Sequence, residues 1–348
     1  MQADRPLFLM CSERSGSNLI RAMLDTHSQV FAPPPFHLGS RFWPRLYQYG
    51  DLQIEANWNT LLADVVAHLA QTPGGAFAQL DADALRAGVP ERRFASLYRH
   101  VYATGMRQAQ RSRLFIKENH SHRLVGQILE AFPDARFVFQ VRDPRDFVAS
   151  CKKVAGWTPH YGSIPNAIRV WREDQTQSLN VVANLPDDRY FFLRYEDLIR
   201  DAENILAALC EFADLPFERQ MLDFHSTPEA QKAAGQLPNY WQNLAKPLMS
   251  DNSGRYRATL SPTEIRLIED RVGDLMTCFG YEGDVQVDSP LARIRVETVA
   301  TVAAARLRVI RFLRRRRMSL AGANPRRNPA RRPRFAPRAR YRDDAAAD

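Results

Sequence analysis

The sequence has few cysteines and no long apolar run. Its four cysteines form no C-x-x-C pair and have no spacing typical of zinc ligands, which argues against a dithiol redox centre or a zinc module. They are Cys11, Cys151, Cys210 and Cys278. No stretch reaches about 20 apolar residues, the length of a membrane-spanning helix, and Asp4 and Arg5 interrupt any N-terminal signal pattern. We therefore expect a reducing, cytoplasmic setting.

A Gly-Lys phosphate loop is also missing, although the first residues have the layout in which such a loop occurs. Residues 7–11 are an apolar run that predicts a strand, and residues 18–26 follow with helical periodicity. Between them lie Arg14, Ser15, Gly16, Ser17 and Asn18. Backbone N–H groups at a helix N-terminus attract an anion, and Gly16 permits a tight turn. The loop predicts a phosphate-sized site, but an ordinary capped turn is the alternative. The absent G-x-x-x-x-G-K-[ST] pattern argues against a nucleoside triphosphatase loop.

A second strand-to-helix junction carries another candidate anion site. Residues 137–141 are an apolar run typical of a buried parallel strand, and Asp143-Pro144 predicts a turn and a helix start. Arg142 is therefore expected at the carboxyl end of the strand, the edge where open α/β sheets bind ligands. Ser150 follows about two helical turns later, so both side chains are candidates for holding a phosphate. The alternative is a surface arginine paired with a neighbouring aspartate, next to an exposed serine.

Together these two segments resemble motifs of the sulfotransferases that use 3′-phosphoadenylyl sulfate (PAPS). The family's 5′-phosphosulfate loop reads roughly [PR]-[KR]-S-G-[ST]-[ST]-[LW], and residues 14–19 follow it with Asn18 in place of the usual second hydroxyl residue. The family's 3′-phosphate motif, V-R-[ND]-P-[RK]-D-x-x-x-S, is matched at every fixed position by residues 141–150. Residues 21–27 look most like bacterial members and the tyrosylprotein branch. The resemblance covers about residues 6–282.

The resemblance and the alternation of predicted strands and helices imply the same fold class. We expect an α/β, P-loop-like three-layer domain over residues 1–285, with a central parallel sheet flanked by helices. Residues 33–110 begin with prolines and aromatics and continue with helical patterns, and we interpret them as a cap over the acceptor. The alternative is that these rings simply pack on the domain.

The positive charge of the chain is concentrated near its C-terminus. The formal net charge is +9, and residues 291–348 hold 17 arginines, no lysine and four acids, so they carry +13 and residues 1–290 carry −4. We expect a basic amphipathic helix over 286–318 and a disordered Arg/Pro-rich tail over 319–348. Peripheral contact with an anionic membrane or another polyanion is the preferred interpretation, packing on a protein is another, and a solvated, nonspecific tail is the third. No module for sequence-specific nucleic-acid recognition accompanies the charge.

The resemblance implies a reaction and a set of donor-binding residues. The expected enzyme moves a sulfuryl group from PAPS to a hydroxyl or amine of a small-molecule, glycan, lipid or peptide acceptor, without a metal ion. Arg14 would contact the 5′-phosphate and the bridging oxygen, and Arg142 with Ser150 would bind the 3′-phosphate. The other implied donor contacts are Ser15, Gly16, Ser17 and Asn18 in the first loop, Tyr195 near the adenine, and Ser253, Gly254 and Arg255 in a closing loop. A catalytically silent adaptor and, less favoured, a P-loop-like kinase are the alternatives.

The sequence differs from the family at both positions where family members place the general base, the residue that takes the proton from the acceptor. Cytosolic members have a K-T-H sequence after a strand, and here Asn119 stands where that histidine would be. The tyrosylprotein branch has a glutamate after the first helix, where this chain has Pro34 and Pro35. Our candidates for the general base, in order of preference, are His120, Glu118 and His37. Lys117 is a candidate to support the transferring sulfuryl oxygens.

Overall fold

Within the described part of the chain, five parallel strands form one sheet. The structure is a computed structural model that describes residues 5–72, 77, 79–153, 163–236 and 241–284. The strands are β1 (Leu7–Met10), β2 (Val30–Phe31), β3 (Arg113–Lys117), β4 (Arg136–Val141) and β5 (Tyr190–Arg194). Their order is β2-β3-β1-β4-β5, and neighbours pair in parallel. This arrangement confirms the predicted α/β fold with a central parallel sheet flanked by helices.

The register of the sheet brings the carboxyl ends of three strands together. Leu9 of β1 lies beside Lys117 of β3 on one side and beside Val138 of β4 on the other. Because the strands are parallel, the loops that leave their carboxyl ends meet at one edge of the sheet. The loops after β1, β3 and β4 can therefore contribute to a single site.

Helices connect the strands, and their limits follow ordinary helix signals. Pro144 begins the helix after β4, and Ser261 caps the last described helix in a capping box with Glu264. The α-helices of the described residues are α1 (Ser17–Asp25), α2 (Leu38–Phe42), α3 (Glu55–Leu69), α4 (Ala82–Gly88), α5 (Phe94–Gln108), α6 (Val125–Ala131), α7 (Pro144–Lys153), α8 (Ile164–Val182), α9 (Tyr195–Arg200), α10 (Ala202–Phe212), α11 (Pro228–Gln236) and α12 (Pro262–Cys278).

The central strands β1 and β4 are buried on both faces of the sheet, as is typical of parallel sheets. Successive side chains of β1 enter opposite cores: Phe8 packs in one apolar cluster and Leu9 in the other. On β4, Phe137 joins the cluster of Phe8, whereas Val138 joins that of Leu9. All six residues of β4 are buried. The strand ends that carry the candidate residues are therefore held from both sides.

The aromatic segment after β2 packs into the domain core. Phe36, Phe42 and Trp58 are buried, and the Trp43 ring lies 4.5 Å from the Tyr98 ring, centroid to centroid. The packing alternative therefore accounts for these rings, and a role of residues 33–110 as an acceptor cap stays a prediction. The predicted basic helix (286–318) and tail (319–348) lie outside the described residues. Among the helices that are described, none has the length and apolar character needed to cross a membrane.

Replacing Phe137 by alanine is expected to destabilise the protein by about 3–5 kcal/mol, because the fully buried ring would leave a cavity between β4 and β1. Urea unfolding followed by circular dichroism measures the change. Tyr47→Ala is the matched control, because Tyr47 is 78% exposed and its loss should change the unfolding free energy by less than about 0.5 kcal/mol. An equal loss of unfolding free energy in Phe137→Ala and Tyr47→Ala would contradict the packing of β4 in the centre of the core.

Candidate functional site

The loop between β1 and α1 presents a helix N-terminus to the edge of the sheet. Arg14 and Gly16 both have left-handed backbone conformations, with φ values of 64° and 83°. Gly16 is the N-cap residue, and its carbonyl accepts the N–H of Leu19 at 3.0 Å. The free N–H groups and the dipole of the first turn of α1 favour an anion at this point. The strand, loop and helix predicted from the sequence are all present.

Gly16 is required here both by its backbone conformation and by a close neighbour. A Cβ atom on Gly16 would lie 2.2 Å from Cδ2 of the Tyr195 ring, far inside van der Waals contact. Tyr195 begins α9 at the end of β5 and is buried. Burial raises the pKa of its hydroxyl. The contact joins the end of the sheet's edge strand to the first loop.

Two side chains from the end of β4 hold the same loop. Gln140 donates a hydrogen bond to the carbonyl of Ser15, and Arg142 Nη1 donates to the carbonyl of Arg14 at 2.9 Å. The Arg142 guanidinium carbon lies 4.7 Å from the centroid of the Tyr195 ring, which is a cation–π contact. The two candidate anion sites are therefore parts of one structure.

The side chain of Arg14 also connects the two predicted motifs. Its Nε donates a hydrogen bond to Oγ of Ser150 on α7 at 3.2 Å. A cavity of about 140 Å³ lies beside this contact region and is lined by residues of the first loop, the end of β4 and the C-terminal loop. Its lining residues are Arg14, Gly16, Ser17, Asn18, Leu19, Arg142, Tyr195, Ile199, Phe224, Asn243, Leu244, Pro247, Leu248, Met249 and Asn252. The cavity has a cationic, polar side and an apolar side.

Several polar side-chain atoms of the first loop and of Arg142 are buried without a protein partner among the described residues. Within the described part of the chain they include Ser15 Oγ, Asn18 Oδ1 and Nε of Arg142. A buried polar group without a partner costs about 1–3 kcal/mol, so native structures seldom keep one without a reason. The Ser15 hydroxyl and the Arg142 Nε–H can each donate a hydrogen bond to a phosphate or sulfate oxygen, whereas Asn18 Oδ1 can only accept one. The two donors therefore fit an anionic ligand.

The C-terminal loop is fixed to α7 by a single carboxylate. Asp146 accepts hydrogen bonds from the N–H groups of Gly254 at 2.7 Å and Tyr256 at 2.8 Å. Asn252 lines the cavity and donates to the Tyr195 hydroxyl at 2.7 Å. Ser253 and Arg255, two residues of the predicted closing loop, have exposed side chains. The loop therefore reaches the cavity through Asn252, which the sequence interpretation did not select.

The loop after β3 brings the candidate base residues to the same edge. Glu118 is buried and accepts hydrogen bonds from the N–H groups of Gly39 and Ser40 at the start of α2. Burial raises the pKa of the Glu118 carboxyl. Burial also lowers the pKa of the His37 imidazole to about 3, with the nearby Lys117 charge acting in the same direction. His37 is therefore neutral near pH 7.

Lys117 and Asn119 lie on either side of Glu118. Lys117 ends β3 and is half-buried, and burial lowers the pKa of its ammonium group. Asn119 donates from Nδ2 to Oε1 of Glu13 at 2.6 Å, which ties the β3 loop to the β1 loop. His120 follows with a left-handed backbone, φ 55°, and is half-buried. The structure thus brings Lys117, Glu118, His37 and the first loop into one neighbourhood.

Sequence reasoning missed three residues that shape the site. Gln140, Asp146 and Asn252 hold or line the cavity region through contacts to residues more than 50 positions away. The sequence contained a feature that marks two of these residues: Gln140 is a polar residue in an apolar strand, and Asp146 is a fixed position of the second motif. For Asn252 the sequence offered no such feature beyond its place next to Ser253.

Gly16→Ala is expected to destabilise the protein by about 2–5 kcal/mol, because the new methyl group meets both a left-handed backbone and the Tyr195 ring. In a Tyr195→Ala background the ring is gone, so the same change should cost only the backbone term of about 1–2 kcal/mol. Urea unfolding of the four proteins of this double-mutant cycle gives the coupling. Additive effects would contradict the close contact.

Comparison with known proteins agrees with this geometry. Residues 6–219 match the profile described as "Sulfotransferase family". A protein-tyrosine sulfotransferase from Drosophila melanogaster is 21% identical over 282 residues, which cover 79% of this chain and 51% of that protein. The chain thus spans about half or less of the length of the curated relatives that it matches.

Two solved structures share the fold. They are the sulfotransferase domain of the Synechococcus PCC 7002 olefin synthase and a sulfotransferase domain from the curacin biosynthetic pathway, both with a TM-score of 0.53. The olefin synthase domain is 23% identical to this chain and the curacin-pathway domain is 22% identical. Each match covers 80% of this chain, and the matches cover 96% and 98% of the two domains, respectively. The matched profile includes the first loop, the second motif and the start of α9. Because that profile covers well over half of its 348 residues, the chain belongs to the sulfotransferase family.

Proposed function

We propose that the protein transfers a sulfuryl group from PAPS to a hydroxyl or amine acceptor and releases adenosine 3′,5′-bisphosphate. The observation that carries the proposal is the hydrogen bond from Arg142 to the Arg14 carbonyl, beside a cavity lined by both residues. A donor with two separate phosphates needs two anion sites at a fixed spacing. The two loops that carry the motifs supply such a pair.

The residues of the first loop are proposed to hold the 5′-phosphosulfate. Ser15, Gly16, Ser17 and Asn18 surround the N-terminus of α1, where backbone N–H groups and the buried Ser15 hydroxyl can donate hydrogen bonds to an anion. Arg14 supplies a permanent positive charge for the phosphate and its bridging oxygen. Because an arginine does not give up its proton near neutral pH, its contribution is electrostatic.

The second motif and the C-terminal loop are proposed to hold the 3′-phosphoadenosine. Arg142 and Ser150 would bind the 3′-phosphate, with Gly254 and its neighbours Ser253 and Arg255 closing over it. Ile199, Phe224 and Leu248 form part of the apolar side of the cavity and provide a surface for an adenine ring. Tyr195 is proposed to stand next to the adenine, held by Asn252.

In-line transfer gives the protein three tasks. The sulfur–oxygen bond to the leaving phosphate breaks as a bond from the acceptor oxygen or nitrogen to sulfur forms, and the acceptor's proton passes to a base. Arg14 is proposed to stabilise the negative charge that develops on the leaving phosphate oxygen. Lys117 is proposed to stabilise the negative charge of the sulfuryl oxygens. Positioning of the acceptor opposite the leaving group falls to the β3 loop and the segment 33–110.

Contacts around the β3 loop favour His120 as the base. The Glu118 carboxylate already accepts from two backbone N–H groups, from the Ser40 hydroxyl at 2.8 Å and from the Tyr98 hydroxyl at 3.3 Å. Its oxygens are therefore engaged in holding α2. His37 receives the N–H of Asn119 at Nδ1, 3.4 Å away. His120 lies one position beyond Asn119 and is half-buried, so its ring is partly accessible to an acceptor.

Isothermal titration calorimetry without magnesium is expected to show that adenosine 3′,5′-bisphosphate binds more tightly than ATP. Arg142→Ala should weaken the bisphosphate by about 10- to 150-fold, because a charge-assisted hydrogen bond contributes about 1.5–3 kcal/mol. Arg219→Ala is the control, because this arginine is exposed and pairs only loosely with Glu203 at 3.5 Å. Tighter binding of ATP, or equal affinities of wild type and Arg142→Ala, would contradict the donor assignment.

With an acceptor found by a radiolabelled-PAPS screen, His120→Gln is expected to lower kcat by about 10²- to 10⁴-fold while bisphosphate affinity stays unchanged, because only proton transfer is removed. Initial-rate measurements and the calorimetric assay give the two readouts. His37→Gln is the matched comparison: a histidine with a pKa of about 3 is already neutral throughout pH 5–8, so its charge state does not change there. A larger loss of kcat in His37→Gln than in His120→Gln would reverse the assignment.

A further inference from the structure

A cluster of three potential metal ligands lies next to the β3 loop and is not used by the donor site. His120, His122 and Asp174 each offer one ligand atom, and these atoms all lie within 4.8 Å of one another. The two histidines come from the turn after β3, and Asp174 comes from α8. Because Asp174 is far along the chain from the two histidines, the sequence did not indicate that these three residues form one cluster.

Two members of the cluster are buried, and each has polar atoms without a hydrogen-bond partner among the described residues. His122 is 5% exposed and Asp174 is 2% exposed. In the described residues, both ring nitrogens of His122 and Oδ1 of Asp174 have no hydrogen-bond partner. His122 Nε2 lies 3.4 Å from Asp174 Oδ1, but the geometry is not that of a hydrogen bond. Buried polar atoms without a hydrogen bond are costly unless a ligand engages them, and His122 Nε2 and Asp174 Oδ1 lie close enough to share one.

The surroundings of the cluster add polar groups to the same place. Among the described residues, Gln175 Oε1 and Ser178 Oγ are also buried and have no hydrogen-bond partner. Ser178 lies one helical turn after Asp174 on the same face of α8. Gln175 Nε2 donates to Ser12 Oγ at 2.8 Å, which connects the cluster to the loop after β1. Arg123 is the competing cation, but its Nη2 is 3.9 Å from Asp174 Oδ1 and its Nε donates to Gln177.

We infer that His120, His122 and Asp174 form a binding site for a divalent transition-metal ion of the Zn²⁺ type. Two imidazoles and one carboxylate are a donor set typical of Zn²⁺, Co²⁺ or Fe²⁺, whereas Mg²⁺ and Ca²⁺ prefer oxygen ligands alone. The His120 and His122 rings are nearly perpendicular, at 89°, with centroids 6.0 Å apart, so both can direct a nitrogen toward a common point. The site shares His120 with the proposed base, and an imidazole nitrogen that coordinates a metal no longer accepts a proton. Metal binding and proton acceptance at that nitrogen therefore exclude each other.

Co²⁺ titration of the metal-free full-length protein tests the inference without any sulfuryl transfer. We expect saturable visible d–d absorption at one equivalent, without the sulfur-to-metal charge-transfer band that a cysteine ligand would give. Zn²⁺ should displace Co²⁺, and Mg²⁺ at the same concentration should not. Asp174→Asn and His120→Gln should each weaken Co²⁺ binding by at least about 10-fold.

His100→Gln is the matched control, because His100 lies on α5 outside the cluster and its loss should leave the Co²⁺ titration unchanged. Far-ultraviolet circular dichroism checks that each variant is folded, and His120 is only half-buried, so its substitution tests the site even where Asp174→Asn unfolds the protein. Absence of saturable Co²⁺ absorption, or equal affinity in wild type and His120→Gln, would overturn the inference. Either result would leave the PAPS proposal standing if adenosine 3′,5′-bisphosphate still binds.

Discussion

The hydrogen bond from the Arg142 guanidinium to the Arg14 carbonyl is the interaction on which the site depends. It forms because β1 and β4 are adjacent and parallel, so that their carboxyl ends lie side by side. It also needs the left-handed backbone of Arg14, which sets the direction of that carbonyl, and a fixed Arg142. Trp171 Nε1 holds the Arg142 carbonyl at 3.0 Å, and the Tyr195 ring lies against its guanidinium. One buried cation thus joins the sheet, α8 and both anion loops.

Elements with a sustained apolar pattern could be predicted from the sequence, and short elements could not. The helix predicted over residues 18–26 coincides with α1 to within one residue, and the apolar run at 137–141 lies in β4. The two-residue strand β2 gives no periodicity, because two residues do not complete an alternation. Proline-rich residues after β2 likewise carry no helical signal, yet α2 forms there because Glu118 accepts its first N–H groups. Its stability comes from tertiary contacts that a local pattern does not contain.

The first loop of the candidate site could be predicted from the sequence because its residues are consecutive along the chain. A helix N-terminus and its preceding loop present neighbouring residues to the same ligand, so Arg14 to Asn18 could be read together. Contacts across the site join distant segments: the Tyr195 ring against Gly16, Asp146 with the loop at Gly254, and Asp174 beside His122. Chain spacing carries no information on such pairs. The contacts of Glu118 with Gly39 and Ser40 and the approach of Asp174 to His122 are of this second kind, so neither could be predicted from the sequence.

Three non-glycine residues with left-handed backbones lie around this edge of the sheet: Arg14, His37 and His120. Each such conformation costs about 1–2 kcal/mol for an ordinary residue, so the fold must hold it in place. It does so through their carbonyls, which accept hydrogen bonds from Arg142 Nη1, from the Arg41 N–H at 3.0 Å and from the Arg123 N–H at 2.8 Å, respectively. The bonds that offset the strain also fix the three side chains that the chemistry would use. Loops held by such hydrogen bonds lose less conformational entropy when a ligand binds, so more of the binding free energy of the proposed donor would be available for orienting the reacting groups.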